Sequence, residues 1–403
     1  MKILIVGSDL NAKLLAQYLK MEDESHDIYM TESEKIEDSS YTVLAVKEHD
    51  IRNICGFVKY NQIEFTIVTS SIAIINGIAD VFKKEGFAIF APFSEAARVT
   101  FFNSIAKKIM YKLKINTPKF GIFDRENLAL DYLRRTKFPV VVENDFTLFG
   151  RKSTIFKTFS KSKSGLQQFF EQINDRVVIE EYIDENPIYV YFATDGYNAI
   201  PLISASRVSG EGYTCVSVPV EKLNEDILLD ILNKAVYPLL DDITKFAGMY
   251  IGILGLKVKI KNGNFFVYEF YNGFQYYDFQ AFISLLDDNL FSILYDCANG
   301  CLADEHDFIN MSDKYSYTVA IDKCKIKSDL SDNDFIITED NTKYICTYSA
   351  STMNRAKTVL LDYLKQNVDE DIIDLIEESE HEKDLVYWSK IKNSKDNVVL
   401  VSP

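Results

Sequence analysis

Strand-like and helix-like segments alternate along the first 92 residues, and this alternation limits the fold more than any other feature of the sequence. Short apolar runs, such as residues 3–6 and 65–68, predict strands, and amphipathic stretches such as residues 12–20 predict the helices between them. Strands that alternate with helices form a parallel sheet that is covered by helices on both faces. The sequence therefore predicts a doubly wound parallel-sheet domain at the N-terminus.

The length and the charge of the chain limit its organisation and its partners. A chain of 403 residues is too long for a single hydrophobic core and predicts several domains. The net charge of −16 argues against nucleic acid and anionic membranes, because binding them needs clustered Lys and Arg. The first residues lack the features of a signal peptide, and no apolar run reaches the roughly 20 residues of a membrane span. We expect a cytoplasmic protein that binds a small molecule or a protein partner, with self-association among the alternatives.

A single acid, Glu269, ends an apolar run at residues 265–268 that predicts a buried strand. Burying an unpaired charge is unfavourable, so this carboxylate needs a partner. The sequence leaves two partners open: a lysine or arginine side chain, or a metal ion that holds the phosphates of a nucleotide. A block of aromatic residues follows Glu269 in the sequence. Such a block is typical either of a hydrophobic core or of a surface that binds a partner. Its members are Phe270, Tyr271, Phe274, Tyr276, Tyr277 and Phe279.

The rest of the chain mixes strands and helices without repeats. A helix is predicted over residues 95–114 and another over residues 223–247, and residues 210–215 are predicted to form a loop. After residue 311, predicted strands precede two predicted helices. The chain divides on this basis into residues 1–98, residues 99–312 with a smaller subdomain at 118–192, and residues 313–403.

Four sequence strings stand in a characteristic order, namely MKILIVGS at the start, FPVVVENDFTLFGRK, RVVIEEYID and FVYEFYNGF. Together they resemble the phosphoribosylamine–glycine ligases (glycinamide ribonucleotide synthetases) of the ATP-grasp superfamily, and the resemblance covers nearly the whole chain. It implies an α/β and α+β multidomain fold. An ATP-grasp domain would follow the doubly wound N-terminal domain and precede a small β/α C-terminal domain.

The resemblance also implies an activity and a set of site residues. Members of this family use ATP to phosphorylate the carboxylate of glycine, which the amine of phosphoribosylamine then attacks. ATP and magnesium are therefore the implied cofactors. The implied nucleotide contacts are Arg151 of a glycine-rich flap and Glu181, Tyr182 and Ile183 of the hinge; Glu269 is the implied metal ligand, and Gly7, Ser8 and Arg207 are implied at the substrate phosphate. No residue is assigned to catalysis.

Several positions depart from the pattern of the family. Asn103 and Glu143 stand where the family carries lysines, Pro187 replaces an acid that holds the ribose, and Tyr271 replaces an asparagine at the metal. Asp9 also adds a negative charge beside the phosphate turn. At about 4 Å and an effective dielectric constant near 20, one charge pair is worth on the order of 4 kcal/mol. Replacing a lysine by an acid thus turns attraction of a triphosphate into repulsion.

We therefore expect a divergent homologue whose nucleotide, metal and substrate positions are largely replaced and which lacks the ligase activity of the family. The alternative is an active ATP-dependent carboxylate–amine ligase, which joins phosphoribosylamine and glycine in purine biosynthesis or uses a changed substrate. The retained Glu269, the basic flap and the hinge favour this alternative. The sequence leaves open whether the protein is an enzyme.

Overall fold

The computed structural model describes residues 1–32, 39–148, 150, 152–173, 175–275, 277–328, 330–381 and 398–401. Arg151 and Tyr276, which the sequence analysis named, lie outside the described residues. Three β-sheets organise the described chain. None of its helices is long and apolar enough to cross a membrane.

The N-terminal sheet consists of β1 (Lys2–Val6), β2 (Asp27–Met30), β3 (Thr42–Val43), β4 (Phe65–Val68) and β5 (Ile89–Phe90). All four pairings are parallel and the strand order is β3-β2-β1-β4-β5. The connecting helices are α1 (Leu10–Glu22), α2 (Ile51–Asn61), α3 (Ser71–Ile75) and α4 (Ile78–Glu85). Ile3 and Ile5 pack in the cluster that contains α1, and Leu4 and Val6 pack in the cluster that contains α2 and α4. Helices thus cover both faces, as the sequence predicts.

A second, antiparallel sheet forms a smaller lid subdomain. Helices α5 (Ser94–Phe101) and α6 (Asn103–Leu113) lead into it. Its strands are β6 (Phe120–Phe123), β7 (Val140–Asn144), β8 (Ser153–Phe156), β9 (Val177–Glu181) and the last described strand of the chain, β18 (Val398–Val401). They follow the order β18-β8-β7-β9-β6, and α7 (Glu126–Leu133) and α8 (Phe159–Ile173) belong to the same subdomain.

The third sheet has eight antiparallel strands. They are β10 (Ile188–Asp195), β11 (Ala199–Gly210), β12 (Tyr213–Val218), β13 (Ile251–Lys261), β14 (Asn264–Asn272), β15 (Tyr315–Asp322), β16 (Ile336–Glu339) and β17 (Lys343–Ala350). Their order is β14-β13-β10-β11-β12-β15-β17-β16. The strands after residue 313 thus belong to the same sheet as β10–β14, and β15 joins it by pairing with β12. This combination of parallel and antiparallel sheets confirms the predicted fold class.

The remaining helices follow the strands of the large sheet in the chain or lie between them. They are α9 (Glu225–Ile231), a π-helical turn (Leu232–Val236), α10 (Tyr237–Phe246), α11 (Asp278–Ile283), α12 (Leu290–Asn299), α13 (Leu302–Glu305), a 3₁₀ turn (Lys323–Lys325), α14 (Met353–Asn367) and α15 (Glu370–His381). Residues of α12 pack with α1 and β1 in one hydrophobic cluster, which joins the N-terminal sheet to the large sheet.

The structure differs from the sequence-based prediction in three elements. The helix predicted over residues 95–114 is interrupted at Phe102, whose backbone is extended and whose ring stacks on Phe146 at 4.8 Å. The helix predicted over residues 223–247 is divided by the π-helical turn. The predicted loop at residues 210–215 instead includes the start of β12, because the hairpin pairs its residues with both β11 and β15.

Candidate functional site

Six ionisable side chains of opposite sign meet where the lid subdomain faces α6 and the β13–β14 hairpin. The three carboxylates come from β7, β9 and β14, and the three lysines come from α6 and β13: Glu143, Glu180, Glu269, Lys107, Lys257 and Lys259. Their formal charges sum to zero. We call this group the cleft cluster.

Lys107 and Glu180 form the most deeply buried ion pair of the cleft cluster. The Lys107 Nζ lies 2.9 Å from the Glu180 Oε2, and the two side chains are 1% and 2% exposed. Lys107 also donates to the Thr117 hydroxyl at 2.9 Å. Burial raises the pKa of Glu180 from 4.5 to about 7; the charge of Lys107 opposes this shift, and the nearby carboxylates of Glu143 and Glu269 add to it.

Glu269, the predicted metal ligand, pairs with a lysine. Lys257 lies directly opposite it in the β13–β14 ladder and donates to its Oε1 at 3.1 Å. The Tyr271 hydroxyl donates to its Oε2. Of the two partners that the sequence left open, the structure therefore shows the lysine. The role of Glu269 as a magnesium ligand stays a prediction.

The hinge backbone at Glu181, Tyr182 and Ile183 is hydrogen-bonded within the protein. The amides of Glu181 and Tyr182 donate to the carbonyls of Lys119 and Pro139 at 2.9 and 3.3 Å. Two side chains from the β13–β14 hairpin then engage Ile183: Lys259 donates to its carbonyl at 2.8 Å, and the Tyr268 hydroxyl accepts from its amide at 3.2 Å. The three amide N–H groups would have to exchange their partners to bind an adenine edge, whereas the Ile183 carbonyl can accept a second hydrogen bond.

Lys259 is buried against aromatic rings. Its Nζ lies 4.8 Å from the centre of the Tyr182 ring and 5.0 Å from the centre of the Tyr268 ring. Burial lowers the pKa of Lys259 from 10.5 to about 8, and repulsion from Lys257 lowers it further, while nearby carboxylates act in the opposite direction. The β13–β14 ladder has a register shift at this point: Lys257 pairs with Glu269, and the next residue, Val258, pairs with Val267. Tyr268 is the extra residue of β14 between these two pairs.

Asn103, which stands where the family carries a lysine, has a structural contact. Its side-chain amide is buried and donates to the Asn144 carbonyl at 2.8 Å. The next residue, Ser104, donates its backbone N–H and its hydroxyl to the two oxygens of Asp145 at 2.7 and 2.8 Å. These contacts fix the first turn of α6 to the end of β7.

Two of the residues predicted at the substrate phosphate are engaged by other residues of the protein. The Arg207 guanidinium bonds both oxygens of the buried Asp278, donates to the Tyr191 hydroxyl at 2.8 Å and stacks over the Tyr189 ring. The Gly7 amide donates to the Thr31 hydroxyl at 3.0 Å. The phosphate-binding roles of Gly7, Ser8 and Arg207 remain predictions.

A pocket of about 630 Å³ lies next to Ser8, between the carboxyl ends of β1, β4 and β5 and the turn after β14. Its apolar wall includes Leu15, Ile67, Phe90, Phe274, Phe279 and Leu294. Its polar lining includes Asp9, Asn11, Thr69, Ser71, Gln275 and Asp340. The aromatic block that follows Glu269 thus serves as core and pocket wall: Phe270, Tyr277 and Phe279 are buried.

The three lysines of the cleft cluster are not among the site residues predicted from the sequence. A signal for two of them exists in GLKVKIK, where Lys257 and Lys259 alternate with Leu256, Val258 and Ile260, as expected for a strand with one polar face. No comparable signal distinguishes Lys107 from its exposed neighbour Lys108 on α6.

The cleft cluster does not fit a magnesium nucleotide in the arrangement that the structure shows. The carboxylate that would bind the metal is engaged by Lys257 and Tyr271, and the summed charge of the cleft cluster offers no excess of cations to a triphosphate.

Comparison with known proteins identifies the family. Residues 1–100 match the N domain of phosphoribosylglycinamide synthetase, and residues 103–275 match its ATP-grasp (A) domain. The chain belongs to the phosphoribosylamine–glycine ligase family. This assignment confirms the resemblance inferred from the sequence.

Individual members of the family are distant in sequence but similar in fold. The phosphoribosylamine–glycine ligase of Caldanaerobacter subterraneus is 25% identical over 73% of this chain and 74% of its own length. The ligase of Clostridium acetobutylicum is also 25% identical, over about half of each chain. The crystal structure of the Thermotoga maritima ligase superimposes with a TM-score of 0.73 at 15% identity and covers 92% of this chain and 98% of its own.

Proposed function

We propose that this member of the family does not catalyse the ATP-dependent joining of glycine to phosphoribosylamine. In this proposal the ATP-grasp domain is a scaffold, and the protein acts by binding a small molecule or a protein partner. Self-association is compatible with this role. The proposal extends the family assignment to what the residues of this chain can do.

The observation that carries the proposal is the placement of the two lysines of β13. Lys259 bonds the Ile183 carbonyl of the hinge, and Lys257 bonds the Glu269 carboxylate. These are the groups that the family resemblance assigns to adenine and to the metal. The protein therefore supplies internal partners to the atoms that a bound nucleotide would need.

The energy of these contacts sets the expected affinity. Removing one partner of a buried ion pair costs about 3–5 kcal/mol, and each 1.4 kcal/mol or so corresponds to a factor of ten in affinity. A nucleotide that displaced Lys257 from Glu269 without supplying a new partner to either group would thus lose about two to four orders of magnitude in affinity. A typical micromolar site would become about millimolar, and Glu143 would add repulsion of the phosphates.

An active ATP-dependent ligase is the second candidate, and the cleft lysines favour it. In this candidate Lys107, Lys257 and Lys259 would supply the cations that the sequence lacks at Asn103 and Glu143. If the lid subdomain moved and these side chains left their present partners, three ammonium groups would face the phosphates and Glu269 would be free for magnesium. This candidate requires the cleft cluster to dissociate.

The release of ADP from ATP, magnesium, glycine and phosphoribosylamine discriminates the two candidates. The Caldanaerobacter subterraneus relative, assayed in the same buffer, is the positive control. We expect the rate of ADP release with this protein to be no higher than the rate in buffer without protein. Release of ADP that requires both glycine and phosphoribosylamine and is abolished by Glu269→Ala would establish the second candidate instead.

A further inference from the structure

The pocket beside the N-terminal sheet has the size and the lining of a small-molecule site. Its volume of about 630 Å³ is within the range of ligand pockets, and three aromatic side chains line it, namely Phe90, Phe274 and Phe279. It lies where the strand order of a doubly wound sheet reverses, which is the usual position of a ligand in such domains.

The charges of the pocket select against anions. Among the described residues that line it there is no Lys, Arg or His, whereas Asp9 and Asp340 both line it. Asp340 accepts hydrogen bonds from the Thr342 and Lys343 amides within its own turn. Asp9 is exposed along the pocket wall and accepts from the Ala12 amide at 2.9 Å through one oxygen. A phosphate in this pocket would meet carboxylates and no compensating cation.

The neighbouring protein partly desolvates the Asp9 carboxyl, and this desolvation raises its pKa. The backbone bond from Ala12 opposes this shift, Glu48 adds to it, and Lys13 gives only a smaller opposing effect. The carboxylate therefore lacks a strong cationic neighbour.

Two further polar atoms at the pocket lack hydrogen-bond partners within the described chain. They are the Asn11 Oδ1 and the Thr69 Oγ1, and both atoms are buried. The side-chain N–H of Asn11 donates to the Phe274 carbonyl at 3.2 Å, which fixes the orientation of the amide. The amide oxygen is an acceptor only. The Thr69 Oγ1 occupies the space beside Gly7, where a Cβ would lie only 1.9 Å from it. Both atoms are covered by protein, so a ligand in the pocket does not reach them in this arrangement.

We propose that this pocket binds a phosphate-free organic amine with an apolar or aromatic body. The ammonium group contacts the exposed Asp9 carboxylate, and the body packs against the aromatic side chains that line the pocket. The proposal does not depend on the fate of the nucleotide cleft, because no member of the cleft cluster lines the pocket.

Binding of tryptamine to the full chain tests this proposal. Tryptophol, which replaces the ammonium group by a hydroxyl, and ribose 5-phosphate, which carries a phosphate, are the matched probes. We expect saturable binding of tryptamine by calorimetry or saturation-transfer NMR, at least tenfold weaker binding of tryptophol, and no binding of ribose 5-phosphate.

Asp9→Asn and Asp50→Asn form a matched pair of variants. Both residues cap helices of the N-terminal domain, and asparagine caps a helix as well as aspartate does, but only Asp9 lines the pocket. We expect Asp9→Asn to weaken tryptamine binding at least tenfold and Asp50→Asn to leave it unchanged. The proposal is overturned if ribose 5-phosphate binds as tightly as tryptamine, if the two variants behave alike, or if tryptamine does not bind at up to about 10 mM.

Discussion

Among single residues, Lys107 and Glu180 show best how the cleft of this protein is stabilised. Both side chains are almost completely buried, and each removes the penalty of burying the other. Such a pair contributes little net stability relative to apolar residues, but the loss of one partner leaves an uncompensated charge. The stability of the lid against α6 therefore depends on both residues together.

Lys107→Met is expected to lower the free energy of unfolding by about 1–3 kcal/mol at pH 7.5, because Glu180 loses its buried cation and must take up a proton to stay buried. The loss is expected to shrink at pH 5, where Glu180 takes up a proton. Urea unfolding at the two pH values, followed by circular dichroism, measures both effects. Lys108→Met is the control, since Lys108 is the exposed next residue of α6; an equal loss in both variants would contradict the buried pair.

The titration of Glu180 gives a pH dependence with a defined sign. Its pKa is about 7 in the folded protein and 4.5 in the unfolded chain, so between these values the folded state holds a proton that the unfolded state has released. Stability therefore decreases as the pH rises from 4.5 to 7, by up to about 3 kcal/mol.

Glu180→Gln is expected to remove this pH dependence of the free energy of unfolding, because glutamine does not titrate. The comparison uses denaturant titrations at several pH values between 4.5 and 7.5. Glu181→Gln, at the exposed neighbouring position, should keep the slope of the wild type. A wild-type slope that survives in Glu180→Gln would show that another group causes it.

At the scale of secondary-structure elements, the contact between α6 and the end of β7 positions the cleft cluster. The buried Asp145 accepts from the Ser104 amide through Oδ1 and from the Ser104 hydroxyl through Oδ2, and the Arg176 guanidinium lies 2.9 Å from the same Oδ2 as an ion-pair partner. It thereby caps a helix that belongs to a distant part of the chain. Lys107 lies one turn further along the same helix.

Asp145→Ala is expected to destabilise the protein by about 2–4 kcal/mol, since it removes a helix cap and leaves buried donors without acceptors. Asp50→Ala removes a cap at the surface and should cost only about 1 kcal/mol. The two midpoints of urea unfolding give the comparison. Equal costs would mean that Asp145 acts only as a local cap and does not hold the lid.

The elements themselves differ in how far the sequence could predict them. The strand predicted over residues 65–68 agrees with the structure residue for residue, because its apolar pattern is determined locally. The break at Phe102 depends on stacking with Phe146, which is distant in the chain. The π-helical turn has no single-residue signal of its own.

For the whole molecule, the order of sheets and the family could be predicted from the sequence, but the contents of the cleft could not. Glu143 and Glu269 were visible as acids on predicted strands, and the pairing of Glu269 with a lysine was one of two alternatives. The partner itself, Lys257, is determined by the register of the β13–β14 ladder, and Lys107 reaches Glu180 across 73 positions of the chain. Such pairings arise only when the lid subdomain and the large sheet meet.

The central claim is that the nucleotide cleft is neutralised and bridged by groups of the protein itself. Calorimetric titration of the full chain with ATP and magnesium tests it most directly. We expect no saturable heat up to about 1 mM nucleotide. Binding with a micromolar dissociation constant that Glu269→Ala abolishes would contradict the claim.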